Sequence, residues 1–478
     1  MSPSGVPSGV PTTAPTRIPT TPPTGQPTLP PTTQPSYPPP PTPTGSPVSG
    51  IPKHFPTWAY DEYTGQGAAG SPALAQTYLT YAESGFNNTK ALDDCAGSNS
   101  CYSVFYFEPN FAYLIGDCSS VYASGLFAVA TESWFLHQSG YSDSAHRLVG
   151  HHAFRCKNAI VGEPVYALDQ YNPDVRAYIE SYLTSYADQY DLYEMDETSG
   201  HLLNQFYGTG GGMCQNNPPP HLCSTTQEYP DDASLVQAHG ELFSSLTHHN
   251  GTPMKLVFNG ITMANGEATD LTLFAASSNV VGGLCEDCVD SHGTLRPDDY
   301  VPVLNAMAQI NAIPNGSFVE LNIGNDPAGS PKQIEERTIT AAMAWLGYSP
   351  GHTIAFPDLE FSSHDLAVWP EYDIVPSDPV ESMSSSYADI QVASRVYRRE
   401  FRSCYNFGVP IGQCAAIVNG NTTNPITLSA SWLQLTYGHV VRISGGDIAS
   451  GGQVFLNTVP FVPAATTLQP GQGILLVR

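Results

Sequence analysis

Positive charge is scarce in this sequence. Its 478 residues include 17 lysines and arginines against 43 aspartates and glutamates, and the formal net charge is −26 at pH 7. So few cations cannot replace the counterions of a phosphate backbone, which excludes nucleic-acid binding as the main role. The sequence also lacks any run of about eighteen apolar residues, the length that a membrane-spanning helix needs. We therefore predict neither a nucleic-acid partner nor a membrane span.

Cysteines and N-glycosylation sequons indicate an oxidising compartment. The ten cysteines form an even set, and several are close enough in sequence for local disulfides. Proximity suggests the pairs Cys95–Cys101, Cys214–Cys223, Cys404–Cys414 and, by remainder, Cys118–Cys156. Sequons begin at Asn87, Asn250, Asn315 and Asn421. We expect a secreted, extracellular glycoprotein, and we read the sequence as a mature chain or an incomplete gene model because Met1-Ser2 leads directly into a repeat.

Residues 1–50 differ in composition from the rest of the chain. They contain 17 prolines and 17 serines or threonines, and such a segment cannot form a core. Proline recurs at every fourth position from Pro3 to Pro47, in a Pro-(Ser/Thr)-x-x repeat that favours an extended polyproline II helix. The hydroxyls that follow these prolines are candidate O-glycosylation sites: Ser4, Ser8, Thr12, Thr16, Thr20, Thr24, Thr28, Thr32, Ser36 and Thr44.

This repeat has two interpretations. It is either a mucin-like stalk in front of a folded region, or the working part of a structural glycofibre that assembles through the repeat. The second interpretation makes the protein an extracellular structural glycoprotein and leaves the folded region as a cap.

From residue 51 onward, apolar strand candidates alternate with stretches long enough for a helix. Eight candidates lie at 54–58, 103–107, 164–168, 192–196, 255–259, 280–285, 318–323 and 353–356. Eight such units predict a (β/α)8 TIM barrel over residues 51–377, with a doubly wound open sheet as the alternative. Helices are expected at 174–189 and 334–346. Short strand-like runs in residues 378–478 predict a C-terminal antiparallel β-domain.

Most of the candidate strands end in residues that suit a polyol. Because barrel active sites lie at the carboxyl ends of the strands, we predict carbohydrate contacts there. Aromatic rings pack on sugar faces, and carboxylates and amides bond to hydroxyls. The predicted substrate-binding residues are Trp58, Tyr60, Tyr106, Glu108, Glu194, Asn259, Asp287, Glu320, Asn322 and Asp358. The expected partner is an extracellular polysaccharide or oligosaccharide, and no metal or cofactor is expected.

Glycoside cleavage needs two carboxyl groups at one anomeric carbon. The period of two places Glu194 and Asp196 on one face of the fourth candidate strand, with Asp196 at the rim. The sixth candidate strand ends in Glu286 and Asp287, of which one can point inward, and we favour Glu286. The sequence therefore predicts Asp196 and Glu286 as the catalytic pair.

At these residues the chain resembles a glycoside hydrolase-like barrel family related to the α-galactosidase superfamily. The matching motifs are Tyr193-Glu-Met-Asp-Glu197 and Gly283-Leu-Cys-Glu286, together with 172–178 and 396–401. The resemblance implies that Asp196 is a nucleophile and Glu286 an acid/base. One departure is Glu194, since α-galactosidases have a lysine two residues before the nucleophile. Two crowded acids raise one pKa, which either assists acid catalysis or marks a site that has lost activity.

Cys285 and Cys288 flank the proposed acid, Glu286, and have three interpretations. They form a local disulfide, they carry out redox chemistry, or they bind zinc, the weakest option because no second ligand pair completes four ligands. Three functional hypotheses result. The protein is a retaining two-carboxylate glycoside hydrolase, a structural glycoprotein with a catalytically silent barrel, or a silent carbohydrate-binding barrel.

Overall fold

The computed structural model describes the chain in segments. These are residues 52–60, 76, 79–85, 89–110, 126, 129–134, 136, 150–152, 164–166, 168–196, 198, 229–261, 271–291, 294–323, 330–358, 369–383, 386–443 and 458–478. The tetrapeptide repeat, its ten candidate hydroxyls and Asn87 lie outside the described residues. None of the helices in these segments is long and apolar enough to cross a membrane.

Eight parallel strands form the main sheet. They are β1 (Trp58–Tyr60), β2 (Tyr81–Ser84), β3 (Tyr102–Phe107), β4 (Leu192–Met195), β5 (Leu256–Asn259), β6 (Val280–Glu286), β7 (Ser317–Ile323) and β8 (Thr353–Asp358). Each strand pairs with the next one in sequence. A parallel bridge between Thr57 and Ala355 joins the first strand to the last. The sheet is therefore a nearly closed barrel and not the doubly wound open sheet.

The count of eight strands was correct, but the membership differs from the prediction in one strand. The predicted strand at 164–168 is a short segment, Pro164–Tyr166, that pairs antiparallel with Gly150–His152 outside the barrel. The eighth barrel strand is instead Tyr81–Ser84, which was not predicted from the sequence. Its buried Glu83 interrupts the apolar pattern by which strands are recognised. The first barrel strand also begins later than predicted, at Trp58.

Six helices lie among the described residues. They are α1 (Lys90–Cys95), α2 (Pro173–Tyr186), α3 (Asp232–Ser245), α4 (Thr272–Ala276), α5 (Tyr300–Ile310) and α6 (Pro331–Gly347). Both predicted helices are confirmed as α2 and α6, with shifted ends. Asn172 caps α2 and Ser330 caps α6, each by accepting a backbone N–H, and each cap is followed by proline at the first helical position. Three-residue and four-residue 3₁₀ turns occur at Glu132–Trp134, Pro370–Asp373, Tyr387–Ile390, Ala430–Trp432 and Pro463–Ala465.

The barrel interior is built in layers. Seven buried apolar residues form one cluster, and Tyr81 of β2 packs against it, so every strand contributes one side chain. The seven are Trp58, Val104, Leu192, Val257, Leu284, Val319 and Ile354. Since side chains alternate along a strand, the residues two positions later point into the barrel one layer nearer the carboxyl ends. That second layer contains the polar residues described below.

The chain after the barrel forms a separate antiparallel sheet. Its strands are β9 (Ile374–Pro379), β10 (Gln391–Ala393), β11 (Val396–Asn406), β12 (Val409–Asn419), β13 (His439–Val441), β14 (Thr458–Pro460) and β15 (Gly473–Val477). The order is β9-β11-β12-β15-β13-β14, with β10 paired to β11. Two-residue strands also pair at Asp290–Ser291 with Thr294–Leu295 and at Ile426–Thr427 with Thr467–Leu468. This sheet packs on α6, where Arg399 donates to the backbone carbonyls of Leu346 and Tyr348 at 2.9 and 2.6 Å.

Three predicted disulfides are present. Cys95–Cys101, Cys285–Cys288 and Cys404–Cys414 are bonded, while the other four cysteines lie outside the described residues. Because Cys285 and Cys288 are joined, the local-disulfide interpretation of this pair is the one the structure supports.

Between α6 and the antiparallel sheet lies a buried ion pair. Arg337 donates through two nitrogens to both oxygens of Glu371, at 2.6 and 2.7 Å, and its guanidinium lies 4.1 Å from the centre of the Trp369 ring. Asp373 follows two residues later and is 6% exposed. Burial, together with the charge of Glu371, raises the pKa of Asp373 from 3.8 to about 7.

This raised pKa predicts a stability that falls between about pH 4 and pH 7. The folded state holds the Asp373 proton more tightly than the unfolded chain, so stabilisation present below pH 4 is lost as the pH rises through the folded pKa. Asp373→Asn is expected to raise the free energy of unfolding by about 3 kcal/mol at pH 8 and to change it little at pH 4. Urea unfolding at both values measures this. An equal effect at the two values would contradict the explanation.

Candidate active site

Three strand ends bring one amide and two carboxylates together. Asp196 follows β4, Asn259 is the last residue of β5, and Glu286 is the last residue of β6. The Nδ2 of Asn259 donates to Oδ1 of Asp196 at 2.7 Å and to Oε2 of Glu286 at 2.8 Å. Since both bonds start from one nitrogen, the two oxygens are no farther apart than the sum of these lengths, about 5.5 Å. The two predicted acids therefore face each other across Asn259.

Asp196 accepts a second hydrogen bond from the phenol of Tyr106, on β3. The Tyr106 hydroxyl bonds to Oδ2 and the Asn259 amide to Oδ1, so each carboxylate oxygen has a donor. Hydrogen bonds of this kind favour the ionised form of a carboxyl group. Asp196 is partly exposed, whereas Tyr106 and Asn259 are buried. The arrangement suits a fixed, charged nucleophile that a ligand can reach.

Glu286 is a partly exposed acid at the end of β6. Burial raises its pKa from 4.5 to about 7, the charge of Asp196 and that of Asp287 add to the shift, and the Asn259 hydrogen bond opposes it. The carboxyl group is therefore largely protonated at slightly acidic pH. Its backbone lies inside the small ring closed by Cys285–Cys288, which fixes the turn that carries it.

A second pair of acids lies beneath Asp196. Glu194 of β4 and Glu83 of β2 are each 1% exposed, and their carboxyl groups lie within hydrogen-bonding reach of each other. Trp58 donates its indole N–H to Oε2 of Glu83 at 2.6 Å. Burial raises the pKa of Glu194 well above its ordinary value, and Glu83, Asp196 and Glu286 add to the shift.

Glu83 is a residue of this site that the sequence did not predict. In the run Tyr81-Ala-Glu-Ser84, tyrosine and glutamate alternate with small residues, which is the pattern that could have identified a strand with an inward carboxylate. The run was not recognised as a strand. Once the strand is known, the period of two places Glu83 in the layer that contains Tyr106, Glu194, Asn259 and Glu286.

Other predicted contact residues are placed differently. Trp58 is fully buried in the lower layer, where it bonds to Glu83, so it does not lie at the rim. Glu320 follows the inward Val319 on β7 and faces outward, where it is fully buried. There burial raises the pKa of Tyr300 and of Tyr372, and the charge of Glu320 adds to both shifts.

The remaining predicted contacts are near strand ends. Glu108 is buried beyond β3, and its Oε1 accepts the backbone N–H of Asn110 at 2.7 Å. Asp287 adopts a left-handed backbone with φ of 55° after β6, and its carbonyl accepts from Arg296 at 3.0 Å. The backbones of Tyr60, Asn322 and Asp358 lie in β1, β7 and β8, and their side chains lie outside what the structure describes.

Within the described segments, no group of three or more histidine, cysteine, aspartate or glutamate side chains is arranged to hold a metal ion.

Comparisons with known proteins give structural likenesses at low identity. No protein-family model matches the chain, and no curated protein matches its sequence. An alpha-galactosidase from Thermus thermophilus is 15% identical over 43% of this chain and 38% of its own, with a TM-score of 0.23. A xylosidase from Aspergillus niger is 10% identical over 89% and 65%, with a TM-score of 0.37. An alpha-galactosidase from Geobacillus stearothermophilus is 9% identical over 89% and 55%, with a TM-score of 0.39. The chain thus spans 38% to 65% of these structures.

Proposed function

We propose that this chain is a glycoside hydrolase with Asp196 as nucleophile and Glu286 as acid/base. The observation that carries the proposal is the bridging amide of Asn259, which keeps an oxygen of Asp196 and one of Glu286 within about 5.5 Å of each other. A separation of about 5 to 5.5 Å between the two carboxyl groups suits a retaining mechanism, because no room is left for a water beneath the sugar, and the bound on this one oxygen pair is compatible with it.

The proposed reaction has two steps. Asp196 attacks the anomeric carbon and the glycosidic C–O bond breaks, while Glu286 gives its proton to the departing oxygen. This leaves a glycosyl ester on Asp196 and an ionised Glu286. Glu286 then takes a proton from water, whose oxygen attacks the same carbon and releases Asp196. Two inversions give net retention, and Glu286 begins the next cycle protonated.

The stereochemistry of the product tests this proposal. We expect the purified protein to release sugar from a member of a panel of aryl α-glycosides, and the first sugar seen by proton NMR to be the α-anomer. A first-formed β-anomer would overturn the retaining assignment. Absence of turnover on every member of the panel, by protein with a cooperative unfolding transition, would overturn the enzymatic proposal in favour of a silent barrel.

Replacing the bridging amide should move the pH profile in a definite direction. The Asn259 hydrogen bond lowers the pKa of Glu286, so Asn259→Ala should raise that pKa and shift the alkaline limb of kcat/KM above pH 7. Loss of positioning should also lower kcat by about 10-fold to 100-fold. Asn311→Ala, the same change at the end of α5, is the control and should leave the limb in place. A limb that moves to lower pH in Asn259→Ala would contradict this role.

We further propose that the protein acts outside the cell. The three described disulfides support an oxidising compartment. Asn250 and Asn315 are exposed in turns, where a glycan could be attached, whereas Asn421 is partly buried and its Nδ2 donates to Asn419 at 2.7 Å. Of these three sequons we therefore assign glycans to Asn250 and Asn315. The repeat serves in this proposal as an O-glycosylated stalk.

A further inference from the structure

The buried pair Glu83 and Glu194 must contain a proton. Two ionised carboxylates within hydrogen-bonding reach of each other inside the barrel would have no hydrogen between them and would repel each other. Both lie below the proposed nucleophile, in a layer from which solvent is excluded. At least one of them is therefore a neutral carboxylic acid, as expected for like charges at short range.

The surroundings of the pair decide which member is neutral. Oε2 of Glu83 accepts the Trp58 indole N–H at 2.6 Å, which stabilises a negative charge on Glu83. Among the described residues, Oε2 of Glu194 accepts no hydrogen bond, and neither does Oε1 of Glu83, so the Trp58 bond is what distinguishes the two acids. An ionised oxygen without a donor is far more costly than the carbonyl oxygen of a neutral acid. The proton therefore belongs on Glu194, whose hydroxyl donates to Glu83.

The groups around Glu194 favour the same assignment. Asp196 lies two residues along the same strand, Glu286 faces it from β6, and Glu83 faces it from β2. Tyr106 and Asn259, its layer neighbours on β3 and β5, both donate to Asp196. A negative charge on Glu194 would repel the ionised Asp196, whereas a neutral Glu194 leaves Asp196 charged beside two donors.

We propose that Glu194 is a positioning residue that holds its proton throughout the working pH range, donates to Glu83, and keeps the floor beneath Asp196 neutral. The inference rests on the proposed function in assigning Asp196 as nucleophile. It extends that function by giving the protonation state of a third acid, which touches no reacting atom.

Infrared difference spectroscopy on the full-length protein at pH 8 tests the proton directly. Glu194→Gln should remove a carbonyl band of a protonated carboxylic acid from the wild-type spectrum, and the matched change Glu83→Gln should keep it. Removal by Glu83→Gln alone, or by neither variant, would overturn the assignment. If one variant does not fold, the other still tests the assignment, because loss of the band in Glu194→Gln and its retention in Glu83→Gln are separate predictions.

Kinetic measurements on two variants distinguish a positioning role of Glu194 from a role in packing alone. Glu194→Met has similar length but no donor for Glu83, and we expect kcat/KM to fall by about 100-fold. Glu194→Gln should recover at least about tenfold of that loss, because its amide is neutral and donates to Glu83. Equal losses in the two variants would overturn the positioning role. The infrared measurement does not require turnover. If the protein proves inactive, the proposed function is wrong, but the infrared spectra still show whether Glu194 is protonated.

Discussion

Asp196→Ala is expected to lower kcat/KM on aryl α-glycosides by about 10⁴-fold or more, since no nearby group can replace the attacking carboxylate. Glu286 is held by Asn259 for proton transfer, and Glu194 is buried and bonded to Glu83. Initial rates on an activated aryl glycoside measure the loss. Added azide should restore part of the rate and give a glycosyl azide of inverted configuration, because the alanine leaves space for a small anion.

A variant of Tyr106, which donates a hydrogen bond to Asp196, distinguishes loss of the nucleophile from loss of a group that only positions it. Tyr106→Phe removes the donor to Oδ2 of Asp196 and keeps the ring, so it should cost about 10-fold to 100-fold and show no azide rescue. If Asp196→Ala retained more activity than Tyr106→Phe, Asp196 would not be the nucleophile.

The barrel could be predicted because each of its units repeats the same signal. Strands such as Leu192–Met195 and Leu256–Asn259 are short apolar runs that end in polar residues, and both follow a helix with a recognisable cap. Tyr81–Ser84 carries a buried carboxylate in the same place as the apolar residues of other strands. Its burial depends on Glu194 and Trp58, which are distant in sequence, and a local pattern cannot show such partners.

The site was predictable where the alternation of side chains was applied. Counting by twos along β4 gave Asp196 at the rim with Glu194 beneath it, as the structure has them. The same count from the inward Val319 puts Glu320 on the outer face of β7, but the prediction grouped Glu320 with strand ends in general. Asn259 was predicted only as a sugar contact. Its bonds to two carboxylates depend on three strands meeting at one edge, which sequence spacing does not specify.

The interaction of Glu194 with Glu83 explains how an acid can occupy the position two residues before Asp196. An acid two residues before the proposed nucleophile is unfavourable if it is charged, because it would oppose ionisation of Asp196. A protonated Glu194 that donates to Glu83 adds no charge beneath Asp196 and supplies a hydrogen-bond donor at that position. The acid at this position is therefore compatible with an active site.

Glu286→Gln is expected to remove the alkaline limb of the pH profile together with most of the activity. Glu286 must be protonated to assist the leaving oxygen, and its pKa is raised to about 7. Wild-type kcat/KM should therefore be level at slightly acidic pH and fall about tenfold per unit once the pH passes 7. With glutamine, substrates that have poor leaving groups should lose about 10³-fold, since nothing protonates the departing oxygen.

Leaving-group dependence provides the control within the same variant. A dinitrophenyl glycoside departs without a proton, so its first turnover on Glu286→Gln should be nearly as fast as on the wild type, with a burst followed by slow hydrolysis. Stopped-flow measurement of the released phenol distinguishes the two phases. Equal losses on the dinitrophenyl and the unactivated substrates, or a limb at pH 7 that persists in Glu286→Gln, would assign the acid role to another group. Asp287 would then be the first residue to test, because it adjoins Glu286 and its charge already acts on that carboxyl group.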